Sequence, residues 1–338
     1  MRPVRFAAIG LDHFHIHAQI EMMLGQRADF VAYCGEEEKF FKKSFAETYP
    51  QARKVDDPRR ILEDSSIDLV LSAGVNSERA ALGVEVMRHG KDFMVDKPGV
   101  TSFEQLAEVR KVQAETGRIY SICFGHAVSS AATRAGELLR AGAIGRLVNV
   151  VSFGPHRLNR ARRPDWFFRR EKFGGILADI GAHPCENFLF FSHRLDVEVV
   201  SATVANRANP DFPDFQDFGE ILLRTPEATG YVRVDWFTPD GLPTWGDGRT
   251  TLIGTEGYIE LRKNVDIAGR SGANHLFLVD MAGVQHIDCS GVELPYARRL
   301  IDDIRNRTET AMSQAHCFRA AEIAITAQAM AETNAVRA

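Results

Sequence analysis

Apolar residues in the first third of the chain gather in short runs that close on glycine or polar turns. Residues 4–9 run into Gly10, and residues 30–34 run into Gly35. Further runs occupy 67–71, 92–95 and 119–124. Between them, residues 15–24, 36–48, 77–89 and 102–116 carry helical spacing, and Gly25, Gly90 and Gly117 stand where helices stop. Short buried strands alternating with helices predict βαβ units, hence an α/β, Rossmann-like, doubly wound parallel sheet. A further helix is expected over 127–141, ending at Gly142 and Gly145.

The pattern changes after that helix. Strands are expected at 147–153, 197–205, 218–223, 230–236, 250–253, 258–261, 275–279 and 284–287, several separated by turns alone. Helices are expected over 295–306 and 313–331. The second part therefore reads as an α+β domain with a large, mostly antiparallel open sheet. The expected division is a dinucleotide-binding domain over 1–124 and a substrate-binding and oligomerisation domain over 125–338.

Composition narrows the function classes. With 338 residues the chain suits two domains, and 45% hydrophobic and 25% charged residues are globular proportions. A net charge of -4 gives no footprint for nucleic acid or an anionic membrane surface. The apolar runs are too short to span a bilayer, and the N-terminus lacks the layout of a secretory signal. Cysteines 34, 123, 185, 289 and 317 are scattered and odd in number, so they read as reduced thiols of a cytoplasmic protein. No CxxC pair points to a metal, and none is expected.

Four stretches carry candidate chemistry. The turn after the first strand reads Gly10-Leu11-Asp12-His13-Phe14-His15. A dinucleotide loop needs glycines so that backbone N–H groups can approach the pyrophosphate at a helix start, but only the first glycine is present and Asp12 replaces the second. His13, His15 and His17 alternate, as in hydrolases that hold a metal on HxH after a first strand. Asp96-Lys97-Pro98 follows the fourth apolar run, where strand ends line a ligand crevice and a lysine can favour alkoxide character. Finally, Gly174-Gly175 precede Asp179 and His183, four apart, a spacing that lets a carboxylate orient a general base if the segment is helical. Pro184 disfavours that helix at His183.

Together these stretches resemble the Gfo/Idh/MocA oxidoreductases. Residues 93–98 (FMVDKP) look like their EKP motif, and 174–183 (GGILADIGAH) resemble their GG-x-L-x-D-x-G-x-H signature. Residues 72–76 (SAGVN) are similar to the TPN-type loop, and 142–147 (GAIGRL) to the turn into the second domain. The resemblance implies a hydride transfer between NAD or NADP and a secondary hydroxyl of a sugar, inositol, related polyol or sugar acid. It implies Lys97, Asp179 and His183 as the catalytic set, with His183 as acid/base, Lys97 polarising the reacting oxygen and Asp179 orienting substrate or His183. Gly10, Asp12, His13 and Phe14 would form the phosphate loop. Asn76, Asp96 and Lys97 would border the nicotinamide.

Glu36 follows the second strand, where an acid binds the ribose 2′-hydroxyl and repels a 2′-phosphate, so NAD is modestly favoured. His156, Arg163 and Trp166 lie in the region that borders the substrate pocket in the resembling family, and Glu186 follows His183 by three. Arginines 157, 160, 162 and 163 could meet an anionic group on the substrate. The open sheet predicts a homodimer or homotetramer. Three other readings stand beside this one: a catalytically silent ligand sensor of the same fold, a metal-dependent hydrolase built on His13, His15 and His17, and an enzyme that recycles a tightly held NAD in a net non-redox reaction.

Overall fold

The computed structural model describes residues 2–37 and 43–335. Contacts divide the chain into two compact units. One comprises Met1–Cys123, Glu171–Gly174 and Pro295–Phe318; the other comprises Phe124–Arg170, Gly175–Leu294 and Arg319–Ala338.

The first unit holds six parallel strands: β1 (Arg5–Leu11), β2 (Asp29–Glu37), β3 (Arg53–Lys54), β4 (Leu69–Ser72), β5 (Asp92–Asp96) and β6 (Tyr120–Cys123). Their order is β3-β2-β1-β4-β5-β6. Every residue of β4 and β5 is buried, as expected of strands covered on both faces. The helix Phe103–Thr116 shows why its boundaries fall where they do. The Ser102 hydroxyl accepts from the Gln105 N–H, and Gly117 ends the helix in the left-handed region. Helix Tyr296–Asn306 joins this unit through Arg307, which lies 2.5 Å from the Asp92 carboxylate at the start of β5, and through the Ser121–Tyr296 hydroxyl pair at 2.6 Å.

The expected helix over 36–48 is shorter. β2 continues through Gly35 and Glu36, and a Ser44/Glu47 capping box starts a helix only at Phe45–Thr48. Residues 38–42 lie outside the described residues.

The second unit holds β7 (Leu147–Pro155), β8 (Glu198–Ala205), β9 (Phe218–Arg224), β10 (Thr229–Asp235), β11 (Arg249–Gly254), β12 (Tyr258–Arg262), β13 (His275–Asp280) and β14 (Gly283–Ile287). Their order is β14-β13-β12-β11-β7-β10-β9-β8, antiparallel except for the β7–β10 pair. Alternation explains the two faces. Val232 and Val234 of β10 point inward, where the helix Ala182–Ser192 packs, while Tyr231 and Arg233 point outward and stay half-exposed. No helix among the described residues is long and apolar enough to cross a membrane.

Candidate active site

In the first unit the strand order reverses between β1 and β4, the place where a doubly wound sheet opens a crevice at its carboxyl ends. Three glycines crowd there. Gly10, with φ +81°, ends its run on β1, and a Cβ on it would lie 3.0 Å from the Gly74 Cα after β4. A Cβ on Gly35 of β2 would lie 3.4 Å from the Gly10 nitrogen. These three glycines set bare backbone against bare backbone, a cradle with no room for their own side chains. Helix His15–Leu24 begins after it; Phe14 at its N-cap makes no side-chain hydrogen bond, and the His15 N–H donates to the His13 Nδ1 at 3.3 Å. Bare backbone ahead of a helix start suits a dinucleotide, reached here with one glycine of the usual loop and two from neighbouring strands.

Asp12 stands in that cradle, half-buried; a Cβ on Gly74 would lie 3.6 Å from its carboxylate. Burial pushes the Asp12 carboxyl above its usual value, against a backbone hydrogen bond and Arg79, with Glu78 and Glu36 adding to the rise. Phe14 and Glu36 are exposed at the rim.

His13 and His15 turn toward Asp96 at the end of β5. The His15 Nδ1 lies 3.1 Å from one carboxylate oxygen and the His13 Nδ1 3.8 Å from the other. Arg79, wholly buried, approaches the same carboxylate at 3.4 Å. Burial opposes the Asp96 charge, yet His15, Arg79 and His13 hold its carboxyl well below the usual range. The guanidinium of Arg79 also donates to the carbonyls of Gly74, Asp96, Lys97 and Pro98. Tyr120 donates to the Gly99 carbonyl at 2.6 Å. The turn bearing the buried Lys97 is thus fastened residue by residue, and the Lys97–Pro98 bond is cis. Asn76, also buried, spends its amide on the Phe173 carbonyl at 2.8 Å.

The alternating histidines do not assemble as a triad. His17 Nδ1 lies 2.9 Å from the Tyr49 hydroxyl, and its ring packs on Phe45. Among the described residues, the group able to surround a metal ion is His13, His15 and Asp96, with ligand atoms within 4.8 Å of one another. Arg79 already brings a positive charge to that carboxylate.

In the second unit the glycine-rich segment forms two helices, not one. Ile176–Asp179 is a single turn, and Ala182–Ser192 begins three residues later. The helical i,i+4 reading of Asp179 and His183 therefore gives way to a break at Ile180-Gly181. Pro184 sits in the first turn of the second helix, where its missing N–H costs nothing. Gly175 (φ +89°) packs so closely on Gln328 that a Cβ would meet it at 2.2 Å. The Gln328 Oε1 accepts from the Leu177 N–H at 2.9 Å, and the Gln216 Oε1 accepts from the Ile176 N–H at 3.1 Å. Gln328 then donates to Gln216 and Glu332, and Glu332 pairs with Arg170. These side chains hold the turn that presents the buried Asp179.

His183 lines a cavity of the second unit together with His156, Asn187 and Trp245. Its ring rests against Gly125, where a Cβ would lie 3.4 Å from Nδ1. Arg163, Trp166 and Glu186 are not among the residues that line this cavity. Arg163 donates to the Leu158 carbonyl and covers the rings of Phe167 and Trp236. Trp166 packs edge-on against Phe167, and Glu186 is fully buried within its helix. Arg157 is tied to the carbonyls of Pro239 and Leu242, and Arg160 pairs with Asp211. Arg79, Gln328, Asn187, Trp245 and Lys263 carry no motif in the sequence and emerge only from the fold.

Comparison with known proteins converges on one family. Residues 4–124 match the family described as "Oxidoreductase family, NAD-binding Rossmann fold", and 132–260 match its "GFO/IDH/MocA C-terminal domain". A crystal structure of a protein from Erwinia carotovora atroseptica SCRI1043, assigned as an oxidoreductase, is 41% identical, with a TM-score of 0.93 over 97% of this chain and 98% of that one. The scyllo-inositol 2-dehydrogenase (NAD(+)) of Bacillus subtilis (strain 168) is 27% identical over 209 residues, covering 60% of this chain and 58% of that protein. The D-xylose dehydrogenase of Paenarthrobacter nicotinovorans is 24% identical over 146 residues, covering 42% and 38%. The chain thus matches less than two thirds of the length of these two relatives.

Proposed function

This chain belongs to the Gfo/Idh/MocA family of NAD-binding oxidoreductases, and from that premise we propose that it oxidises a secondary hydroxyl of a sugar, inositol or related polyol or sugar acid to the ketone, reversibly and with NAD in preference to NADP. The observation that carries the reading is the glycine cradle at the β1/β4 reversal, next to a turn that fastens Lys97. The dinucleotide supplies the hydride acceptor when bound. Gly10, Asp12, His13 and Phe14 would form the loop around its pyrophosphate, where the Asp12 charge weakens the hold, and Asn76, Asp96 and Lys97 would border its nicotinamide. Glu36, exposed at the end of β2, would accept from the ribose hydroxyls and repel a 2′-phosphate.

His183 takes the hydroxyl proton as the carbinol C–H bond breaks. Lys97 stabilises the developing alkoxide, and Asp179 keeps substrate or His183 in register. Residues 1–124 act as the cofactor domain and 125–338 as the substrate domain. Leu222, Ile253, Tyr258 and Val284 are exposed on the outer face of the second sheet, which supports a homodimer or homotetramer. The working compartment we propose is the cytoplasm.

The test is a panel of polyols, aldoses and sugar acids offered with NAD+ or NADP+, followed by reduced-nucleotide absorbance. Turnover with at least one, falling about 100-fold or more in His183→Ala, is expected. Turnover untouched by that substitution would refute the role given to His183.

A further inference from the structure

In the G-x-G-x-x-G spacing that starts at Gly10, Asp12 takes the second glycine's place and His15 the third. The two substitutes carry opposite chemistry. Asp12 brings a carboxylate, and Glu78 and Glu36 stand near enough to act on it. A diphosphate entering this turn meets negative charge that needs an offset. Arg79 is close by, but it is buried, and its donors go to the Asp96 carboxylate and to the carbonyls of Gly74, Asp96, Lys97 and Pro98.

His15 lies on the open side of that same carboxylate. Its Nδ1 is 3.1 Å from the Asp96 Oδ1, while its side chain stays 34% exposed. The ring stands edge-on to those of His13 and Phe14. His13 is less available, being 17% exposed, with its Nδ1 accepting the His15 N–H at 3.3 Å. His17 turns away to Tyr49 and Phe45. Burial opposes the Asp96 charge, yet His15, Arg79 and His13 keep it ionised. An ionised acceptor facing Nδ1 requires an N–H there, which leaves Nε2 for a ligand. A buried carboxylate already met by a guanidinium and two imidazoles has little left for a metal cation, and its exposed side suits an anion.

We propose that His15 binds the dinucleotide's diphosphate through Nε2, as an imidazolium backed by Asp96, supplying a contact and a charge in the place of a missing glycine. Binding takes a proton from solvent onto the ring, which then lies between two anions. This deepens the dinucleotide reading given above and rests on it.

The test sets ADP-ribose beside NADH, because ADP-ribose carries the diphosphate without the nicotinamide. Calorimetric titration reads both affinities in wild type, His15→Ala and His15→Arg, each shown to be folded by thermal unfolding. His15→Ala should weaken both ligands roughly 10-fold, as for one charge-assisted hydrogen bond at a partly solvated site. His15→Arg, with a permanent charge, should recover most of the loss. Titrations at neutral pH in two buffers of different ionisation heat count protons: wild type should take them up, and His15→Arg should take up fewer. Alanine is also a residue that the dinucleotide spacing admits at this place, so a passive histidine predicts equal or tighter binding in His15→Ala. That result would overturn the inference. So would loss of NADH affinity with ADP-ribose unchanged, which puts the effect at Asp96 and the nicotinamide end, or equal proton uptake in wild type and His15→Arg. All three leave the dinucleotide reading standing, whereas wild type that binds neither NADH, NADPH nor ADP-ribose sinks that reading and this inference with it.

Discussion

The guanidinium of Arg79 lies 3.4 Å from the Asp96 carboxylate and donates to the Asp96 carbonyl as well. One buried side chain thereby neutralises the charge at the end of β5 and fixes the turn that follows. Replacing it with methionine would keep the volume and strand a buried carboxylate, with His13 and His15 as its remaining partners. Arg79→Met is expected to lose about 3 kcal/mol of stability. Lys97 should also be misplaced, lowering kcat more than stability alone accounts for. Thermal unfolding and kinetics on the same preparation check both parts.

The crowding at Gly10 gives a second expectation. Its φ of +81° and the 3.0 Å approach to Gly74 leave no room for a methyl group. Gly10→Ala should cost roughly 1–2 kcal/mol from the left-handed backbone alone. It should weaken NADH binding further by forcing the Gly10 and Gly74 backbones apart. Gly117, also left-handed but with nothing within 4 Å, supplies the control: its alanine variant should lose stability and keep cofactor affinity.

Asp12 governs a pH dependence. Its carboxyl is held above the ordinary value chiefly by burial, so the folded state favours the proton more than the unfolded state does. Stability from this group is therefore present at low pH and declines as pH rises from the unfolded value through the folded one. The charge that appears also repels a diphosphate. NADH affinity is expected to tighten as pH falls through that raised value, and Asp12→Asn should bind several-fold more tightly at neutral pH with a flatter profile, consistent with a single partly solvated charge. Titrations across the acidic range, on protein shown to remain folded, read the difference.

The first unit was legible because its signals are local. Strands at 4–9, 67–71 and 92–95 closed by turns, with helices between, correspond to β1, β4 and β5 within a residue or two. The antiparallel strands of the second unit were legible from turn spacing for the same reason. The helix Ala182–Ser192 was not. Pro184 argues against a helix unless it occupies the first turn, and whether it does depends on where the preceding turn stops. The arginines at 157, 160 and 163 read as candidates for an anion site in sequence; the carbonyls, the Asp211 carboxylate and the Phe167 ring that they meet in the fold carry no sequence signal. Arg79 and Gln328 gave no sign at all, since each acts on backbone that lies near it only after folding.

Gln328 tests the positioning role directly. It takes the Leu177 N–H and fills the space over Gly175. Gln328→Ala should cost about 1–3 kcal/mol for the stranded donor. It should lower kcat through Asp179 while KM for NAD+ is unchanged. Gln328→Glu, which keeps the acceptor but places a second carboxylate beside Glu332, should recover kcat in part and more so at low pH. A purely structural role would move stability without the pH-dependent recovery.

The central claim, that the depleted glycine loop still holds a dinucleotide, is tested most directly by titrating the purified protein with NADH and then NADPH by calorimetry. Saturable binding at a stoichiometry of one per chain is expected, tighter for NADH, and weakened in Gly10→Ala. No heat with either nucleotide at millimolar concentration, from folded protein with none co-purifying, would contradict the account at its base.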